Sequence, residues 1–181
     1  MKITVLGRGN VGGGLAALWT AAGHTVTTLG RDGGDATDAD VLVVAVPGDK
    51  VAEALAGVTG IAGTPAIDAT NVYGPRATDH ESNAHLVRSF TGGPVAKSFS
   101  ANFASEYPAV AAQATPPGNL VAADPEIREL VDRLNRDAGF EPVHVGGLEM
   151  ARSIEDIGPL LIGIARNGLG PFFYRMSPTS A

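Results

Sequence analysis

The stretch Lys2–Gly14, KITVLGRGNVGGG, predicts how the chain begins to fold. A short apolar strand pattern leads into Gly7-x-Gly9-x-x-Gly12, and the segment that follows is apolar on one helical face. Gly7 permits a turn that a Cβ would block, Gly9 leaves room for a pyrophosphate, and Gly12 lets helix and strand pack closely. The pattern favours a dinucleotide cradle at the start of the helix over a merely structural glycine-rich turn. The predicted contacts are Gly7, Arg8, Gly9, Asn10, Val11 and Gly12.

The composition is that of an acidic, cysteine-free chain of 181 residues with a net charge of −6. This length suits one domain with a buried core, and the absence of cysteine removes thiolate nucleophiles and iron–sulfur clusters. The negative charge argues against nucleic acid or an anionic membrane as the main partner. No apolar run reaches the length of about 18 residues that spans a bilayer, and no signal-peptide pattern precedes the first strand. We therefore expect a cytoplasmic protein.

Strand and helix patterns alternate along most of the chain. Such alternation predicts an α/β fold of Rossmann type, with a doubly wound, mainly parallel sheet covered on both faces. The predicted strands after the first are 25–29, 41–46, 66–69, 95–100, 119–123 and 142–145. The predicted helices are 10–22, 50–56 and one that starts at Asp124-Pro125, with the Asp124 side chain as N-cap, and ends before Gly139. We expect a loop with some helix over 73–90 and a lid or surface excursion over 104–117.

The segment 148–181 breaks this alternation. Its apolar residues fall at helical spacing, but Gly158-Pro159 must kink or split the helix. Apolar surface extends beyond one stripe, which favours a homodimer contact over simple packing on the sheet. We therefore predict a nucleotide-binding Rossmann domain over 1–147 and a small C-terminal helical extension over 148–181.

The residues after the second strand bear on which nicotinamide cofactor would bind. Asp32 lies at the spacing of the acidic residue that holds the ribose 2′-OH of NAD. The strand pattern ends earlier, however, at Leu29, and Arg31 is the next side chain within reach. A guanidinium pairs with the 2′-phosphate of NADP, and Arg8 adds a second cation. The two arginines favour NADP, whereas the alternative is that Arg31 and Asp32 only solvate a turn.

Other cofactor contacts are expected from the carboxyl ends of the neighbouring strands. Val46 and Pro47 would offer apolar surface, and Asn71 an amide for the ribose or the carboxamide. The end of the fifth predicted strand, residues 97–102, would reach the nicotinamide, with Ser98 as the predicted contact. Lys97 beside it fits a site residue or a surface charge equally well.

Five stretches resemble the coenzyme F420-dependent NADP reductase family. They are GRGNVGGGLA (7–16), TTLGR (27–31), VAVPGDKV (44–51), VAKSFSANF (95–103) and RSIEDIGPLLIGIARNGLG (152–170). The last is the most specific, because ordinary Rossmann domains lack it. The resemblance implies a dimer in which a hydride passes directly between NADPH and a bound 5-deazaflavin.

Several positions depart from the pattern of that family, among them the acidic stretch 32–35, where a further basic residue is expected. Gly30-Arg31 keeps the family's arginine but lacks its preceding serine, and Arg8 stands where a threonine is common. Arg8 could therefore replace the lost contact with the 2′-phosphate. Ser100-Ala101 replaces a His-Thr or Asn-Thr pair at the deazaflavin contact.

These features together predict an NADP-dependent oxidoreductase whose second substrate is F420 or a flavin such as FMN or FAD. Because the cofactors carry the chemistry of hydride transfer, we assign no catalytic side chain. The four histidines are scattered, and no metal-ligand spacing occurs. Two alternatives remain open, namely a reductase of a small C=O or C=N substrate and a non-catalytic NADP-sensing module.

Overall fold

A mixed β-sheet of seven strands forms the centre of the computed structural model, which describes residues 1–74 and 79–179. The strands are β1 (Lys2–Leu6), β2 (Thr25–Leu29), β3 (Gly34–Asp35), β4 (Val41–Val44), β5 (Val58–Thr59), β6 (Ala66–Asp68), β7 (Val95–Lys97), β8 (Gly118–Ala123) and β9 (Glu141–Gly146). The helices are α1 (Asn10–Ala21), α2 (Val51–Ala56), α3 (Asn83–Thr91), α4 (Arg128–Asp137), α5 (Ala151–Asp156) and α6 (Gly158–Ile164). The short strands β3 and β5 pair separately.

The sheet has the strand order β2-β1-β4-β6-β7-β8-β9. The chain moves from β1 to β2 on one side and then to β4 on the other side of β1, so the switch point lies between β1 and β4. Crevices at such switch points, outside the carboxyl ends of the strands, are where ligands bind in these sheets. The predicted Rossmann-type, mainly parallel fold is confirmed.

The last two strands run opposite to the other five, because β7 and β8 pair in antiparallel fashion while β8 and β9 are parallel. Residues 98–117 therefore leave β7 and enter β8 at the same edge of the sheet, the carboxyl edge. As a consequence β9 ends at the opposite edge, and the helices after it travel back towards the carboxyl ends. This reversal brings the C-terminal segment to the crevice.

Helices cover both faces of the sheet, as expected. The buried residues of α1 and α4 pack on one face, and those of α2, α3 and α5 on the other. In β4, Val41 and Val43 face the first layer while Leu42 and Val44 face the second. Burial on both faces explains why this strand is continuously apolar in the sequence.

The segment 104–117, expected to be a lid or surface excursion, runs over the surface but is anchored in the core by Tyr107 and Val110. Residues 104–112 form 3-10 turns, and Tyr107 is only 1% exposed. The Tyr107 hydroxyl donates to the Phe99 carbonyl at 3.2 Å. Its ring also lies against α1, since a Cβ on Gly14 would come within 2.6 Å of Tyr107 Cδ2. Glycine at position 14 therefore allows the segment to dock.

Two other local expectations are corrected. The strand predicted over 95–100 ends at Lys97, and Phe99 adopts a left-handed conformation with φ of 60°. Asp124 does not cap the following helix, because its carboxylate accepts hydrogen bonds from Arg88 and from the Val95 amide. Smaller differences in boundaries are that the strands expected over 41–46 and 66–69 end at Val44 and Asp68.

The C-terminal segment divides at Gly158-Pro159 into α5 and α6, as predicted. Ala151 and Ile154 of α5 belong to the core, and Tyr174 beyond α6 is tied to the start of β8. The Gly118 amide donates to the Tyr174 carbonyl at 2.8 Å, and the Leu120 amide donates to its hydroxyl at 3.2 Å. Burial raises the pKa of Tyr174 to about 12. Within the described residues, no helix is long and apolar enough to cross a membrane.

Candidate functional site

The glycine turn after β1 is built by close backbone contacts that exclude a side chain. Gly7 has φ of 121°, and a Cβ on it would lie 2.3 Å from the Ala45 carbonyl oxygen. A Cβ on Gly12 would lie 2.2 Å from the carbonyl oxygen of Gly7. These two positions therefore accept only glycine, because β1, α1 and the residues after β4 meet there.

Gly9 differs from these two residues, since a Cβ on it would meet no protein atom within 4 Å. Its φ of −76° is one that any residue can adopt. Gly9 is the N-cap of α1, where no side chain caps the helix and no acidic residue lies in the first turn. The first amides of α1 thus face open space, which is the arrangement that binds an anion at a helix N-terminus.

A groove of about 540 Å³ lies in front of this turn. Six of the residues predicted from the sequence line it together, namely Gly9, Asn10, Val11, Val46, Pro47 and Asn71. Gly7 and Gly12 lie beneath it and shape its floor. The groove runs from the start of α1 past the loop after β4 to Asn71 and Tyr73, after β6.

Arg8 and Arg31 lie near the end of β2. The Arg8 Nη2 atom donates to the Thr28 carbonyl at 2.8 Å, and its guanidinium covers Gly30. A Cβ on Gly30 would approach Arg8 Nη1 to 3.3 Å, so glycine at this position makes room for the arginine. Arg31 is exposed in a turn closed by a hydrogen bond from the Gly33 amide to the Gly30 carbonyl.

Acidic residues follow these arginines, and one of them has a structural role. The Asp35 carboxylate accepts hydrogen bonds from the Thr37 hydroxyl at 2.6 Å and from the Thr59 hydroxyl at 3.2 Å. The bond from Thr37 is the main reason that the pKa of Asp35 is lowered. Asp35 therefore connects the loop after β2 to β5.

The structure does not bring Ser98 to the groove, which corrects that prediction. Ser98 is fully buried, and its hydroxyl accepts hydrogen bonds from Asn119 at 3.1 Å and from Asn135 of α4 at 3.3 Å. The strand had been expected to continue to residue 100 with Ser98 at its edge. Because the backbone reverses at Phe99, Ser98 points into the layer beneath α4 instead.

Lys97 is not a surface charge, so that alternative is wrong. It has no exposed surface, and its Nζ atom lies 2.9 Å from Asp68 Oδ2 and 3.6 Å from Glu155 Oε1. Asp68 is the last residue of β6, and Glu155 belongs to α5. Sequence reasoning identified neither carboxylate, although an aspartate that ends a short buried strand was a visible signal.

A second, smaller pocket of about 30 Å³ adjoins the groove at Tyr73. It is lined by Tyr73, Ser100, Ala101, Asn102, Phe103, Gly158, Leu161 and Ile162. The strand end after β7 thus forms one wall, and α6 of the C-terminal segment forms the other. Sequence reasoning placed 97–102 near the nicotinamide but could not identify which of these side chains reach a pocket.

The wall between the two pockets carries polar atoms without partners. Asn71 Nδ2 donates to the Ser100 carbonyl at 2.5 Å and to the Tyr73 hydroxyl at 3.1 Å. Three buried oxygens, Asn71 Oδ1, Ser100 Oγ and Asn102 Oδ1, have no hydrogen-bond partner among the described residues. Buried polar atoms are almost always paired, so these three oxygens are an exception beside the two pockets.

The histidines take no part in either pocket as far as the described residues show. His24 bonds to Asp137 at 2.9 Å and His144 to Asp132 at 2.6 Å, and His85 bonds to Ser82. No group of histidine, aspartate or glutamate side chains in residues 1–74 and 79–179 could hold a metal ion. The arrangement is suited to binding and aligning ligands.

Comparisons with known proteins identify relatives in structure only. No family model and no curated protein matches the sequence. A candidate F420-dependent NADP-reductase from Arthrobacter sp. FB24 superposes with a TM-score of 0.79 and 22% identity, over 98% of this chain and 100% of that chain. A hypothetical protein from Sinorhizobium meliloti has a TM-score of 0.64 and 23% identity, over 82% of this chain and 86% of that one.

A longer protein also shares the fold. An imine reductase from Aspergillus terreus, solved with NADPH4, has a TM-score of 0.66 and 16% identity over 93% of this chain. The chain spans 62% of that protein's length. These likenesses show a common Rossmann-type fold, and the first of them agrees with the resemblance found in the sequence motifs.

The three glycines lead to a prediction that separates binding from folding. Gly9→Ala should weaken NADPH binding at least about tenfold, because its Cβ enters the cradle, while thermal stability stays unchanged. Gly13→Ala is the matched control in the next turn of α1, where a Cβ meets only an ordinary contact of 3.7 Å to the Arg8 carbonyl. Fluorescence titration with NADPH and thermal unfolding measure the two effects. Equal NADPH affinity in the two variants would contradict a pyrophosphate cradle.

Proposed function

We propose that the protein is an NADP-dependent oxidoreductase that transfers a hydride between NADP(H) and a flavin-like second substrate such as F420. The observation that carries this proposal is the continuity of the groove. One end is the glycine turn at the switch point, and the other end, at Asn71 and Tyr73, meets a second pocket lined by α6. A nicotinamide cofactor fits such a groove because Gly9 leaves the space before α1 open.

The two arginines support NADP as the form of the cofactor. Arg8 is held at the end of β2 by its bond to the Thr28 carbonyl, and Arg31 lies one residue beyond Gly30. A 2′-phosphate placed after β2 would therefore meet two guanidinium groups, each able to donate two hydrogen bonds. Gly30 supports this arrangement, since a serine there would crowd Arg8.

A flavin-like second substrate is supported by the chemistry of the second pocket. Leu161 and Ile162 give one wall an apolar surface, and Ser100 and Asn102 on the opposite wall carry buried oxygens without a partner. A flavin or deazaflavin ring has an apolar face and N–H donors that match these walls, but the pocket of about 30 Å³ would hold only the edge of the ring, with the rest in the adjoining groove. NADPH would supply the hydride, and the protein would align the two rings and exclude water.

The cofactor preference is tested by comparing NADPH with NADH. Wild-type protein should bind NADPH at least about tenfold more tightly, and Arg31→Ala should lose roughly tenfold to a hundredfold of NADPH affinity with little change for NADH, as expected for a charge-assisted bond. Arg133→Ala, on the exposed side of α4, is the control. Equal affinities of the wild type for the two cofactors would refute the preference for NADP.

Turnover identifies the second substrate. NADPH oxidation followed by absorbance should proceed with F420, FMN or FAD as acceptor, and the rates with the three acceptors rank them as second substrates. Small ketones and imines serve as the comparison set, because the longer imine reductase shares the fold. Turnover of those substrates alone would support the C=O or C=N alternative. NADPH binding without turnover of any of them would support a non-catalytic NADP-sensing module.

We also propose that α6 and the residues after it form a homodimer contact. Leu160 is 61% exposed and Ile164 is 40% exposed, and their spacing of four residues places them on one side of the helix. Leu169 adds a further 62% exposed side chain beyond α6. Size-exclusion chromatography with light scattering should give a dimer mass at micromolar concentration, and Leu160→Ser with Ile164→Ser should shift it to the monomer. A monomeric mass for the wild type would refute the contact.

A further inference from the structure

A fully buried cluster of three charged side chains lies directly behind the junction of the two pockets. Lys97 and Asp68 end neighbouring strands and are partners in the parallel register of β6 and β7. Glu155 approaches from α5, and none of the three side chains has exposed surface. The Lys97 ammonium donates hydrogen bonds to Asp68 Oδ2 and to the Thr70 carbonyl, and it forms a longer ion pair of 3.6 Å with Glu155 Oε1.

Stability alone does not account for such a cluster. Buried lysine is rare, and replacing a buried ion pair by apolar residues of similar volume is often neutral or stabilising. What a buried, hydrogen-bonded cluster does provide is a defined position for the groups bonded to it. The groups bonded here belong to the pocket loops.

Thr70 is held through all of its polar groups. Its amide donates to Asp68 Oδ1 at 2.9 Å, its carbonyl accepts from Lys97, and its hydroxyl accepts from Asn83 Nδ2 at 2.9 Å. The next residue is Asn71, whose side chain forms part of the wall between the two pockets. A bond that fixes the Thr70 carbonyl therefore also fixes the peptide from which Asn71 projects.

The same network reaches the loop after β4 and the C-terminal segment. The side-chain Nδ2 of Asn83 also donates to the Gly48 carbonyl at 3.1 Å, and the backbone amide of Asn83 donates to Glu155 Oε1 at 2.8 Å. Glu155 lies one turn before Gly158, where a Cβ would stand 3.5 Å from the Tyr73 ring and 4.0 Å from Asn71 Oδ1. Both sides of the contact between α6 and Asn71 are thus connected to the cluster.

We propose that Lys97 is a positioning residue that sets the distance between the two bound rings. Held between Asp68 and Glu155, its ammonium fixes the Thr70 carbonyl, and this places Asn71 against α6 at the junction of the groove and the second pocket. Lys97 itself touches neither ligand. The expected effect of Lys97 on kcat rests on the proposed function. Its expected effect on the order of the loop 69–74 does not depend on that function.

The test uses a double variant that keeps the formal charge of the cluster. Lys97→Met with Asp68→Asn removes one positive and one negative charge, retains an oxygen that can accept from the Thr70 amide, and removes the bond to the Thr70 carbonyl. Lys2→Met with Asp38→Asn is the matched control, because it removes an exposed pair of the same types. Hydrogen exchange of residues 69–74, NADPH affinity, and kcat and KM for the acceptor are measured for both double variants.

The double variant should exchange amide hydrogens over 69–74 at least about tenfold faster than wild type, because the loop loses its anchor. NADPH affinity should fall by no more than about threefold, because residues 69–74 line one end of the groove while the glycine turn at the other end is unaltered. The kcat should fall roughly tenfold to a hundredfold, as expected when two reacting rings are misaligned. A merely structural lysine would lower thermal stability and leave kcat unchanged.

Unchanged hydrogen exchange over 69–74 in the folded double variant would overturn the proposal. Unchanged kcat, in a double variant whose exchange over 69–74 is faster than that of wild type, would overturn it as well. If the double variant shows no cooperative unfolding, Glu155→Gln is measured instead. Glu155→Gln keeps the ion pair of Lys97 with Asp68 and an oxygen that accepts from the Asn83 backbone amide. It should accelerate hydrogen exchange over 69–74 about threefold. Unchanged exchange over these residues would also refute the proposal. If wild-type protein neither binds NADPH nor reduces any acceptor, the proposed function is wrong, and the exchange measurements alone decide the role of Lys97.

Discussion

The contact between Gly7 and the Ala45 carbonyl is the constraint on which the candidate site depends. At the switch point, this contact packs the end of β1 directly against the residues after β4. Gly12 allows a second close contact, between α1 and the carbonyl of Gly7 in the turn. A methyl group at either glycine would force these backbones apart. Because the contact is made by backbone atoms, the start of α1 is held rigidly and its amides can face a ligand without a side chain in between. Gly9, on which a Cβ would meet no protein atom within 4 Å, keeps that space open.

The second pocket depends on a feature of the sheet that lies at the other end of the fold. If β8 ran parallel to β7, a crossover would carry the chain away from the carboxyl edge, and residues 98–117 would not line a pocket there. The antiparallel pairing keeps this segment at the edge, and the reversed β9 sends α5 and α6 back towards it. The helical extension is thus a wall of the candidate site as well as a cover for the sheet, and its burial against β7 is what brings Glu155 to Lys97.

Arg8 and Gly30 are both departures from the family that the sequence resembles, and they are neighbours in space. A Cβ at position 30 would lie 3.3 Å from Arg8 Nη1, so a side chain there would require the exposed arginine to shift by a few tenths of an ångström. Glycine at position 30 therefore leaves Arg8 in place with its bond to the Thr28 carbonyl.

Local spacing was sufficient to predict the glycine turn, the doubly buried β4 and the division at Gly158-Pro159, because each depends on steric or periodic rules within a few residues. It also predicted six residues that the structure brings together in one groove, since loops at the carboxyl ends of neighbouring parallel strands must meet; their role as cofactor contacts stays a prediction. The direction of β8, the burial of Lys97 and the inward orientation of Ser98 could not be predicted in this way. They follow from which strands pair and from Phe99, the one residue other than glycine with a positive φ in the part of the chain that the structure describes, and both are decided by contacts between residues far apart in the chain. Lys97 is buried because α5, which is distant in the sequence, packs over the strand end and places Glu155 beside it. Without that helix, the same lysine would lie at the surface.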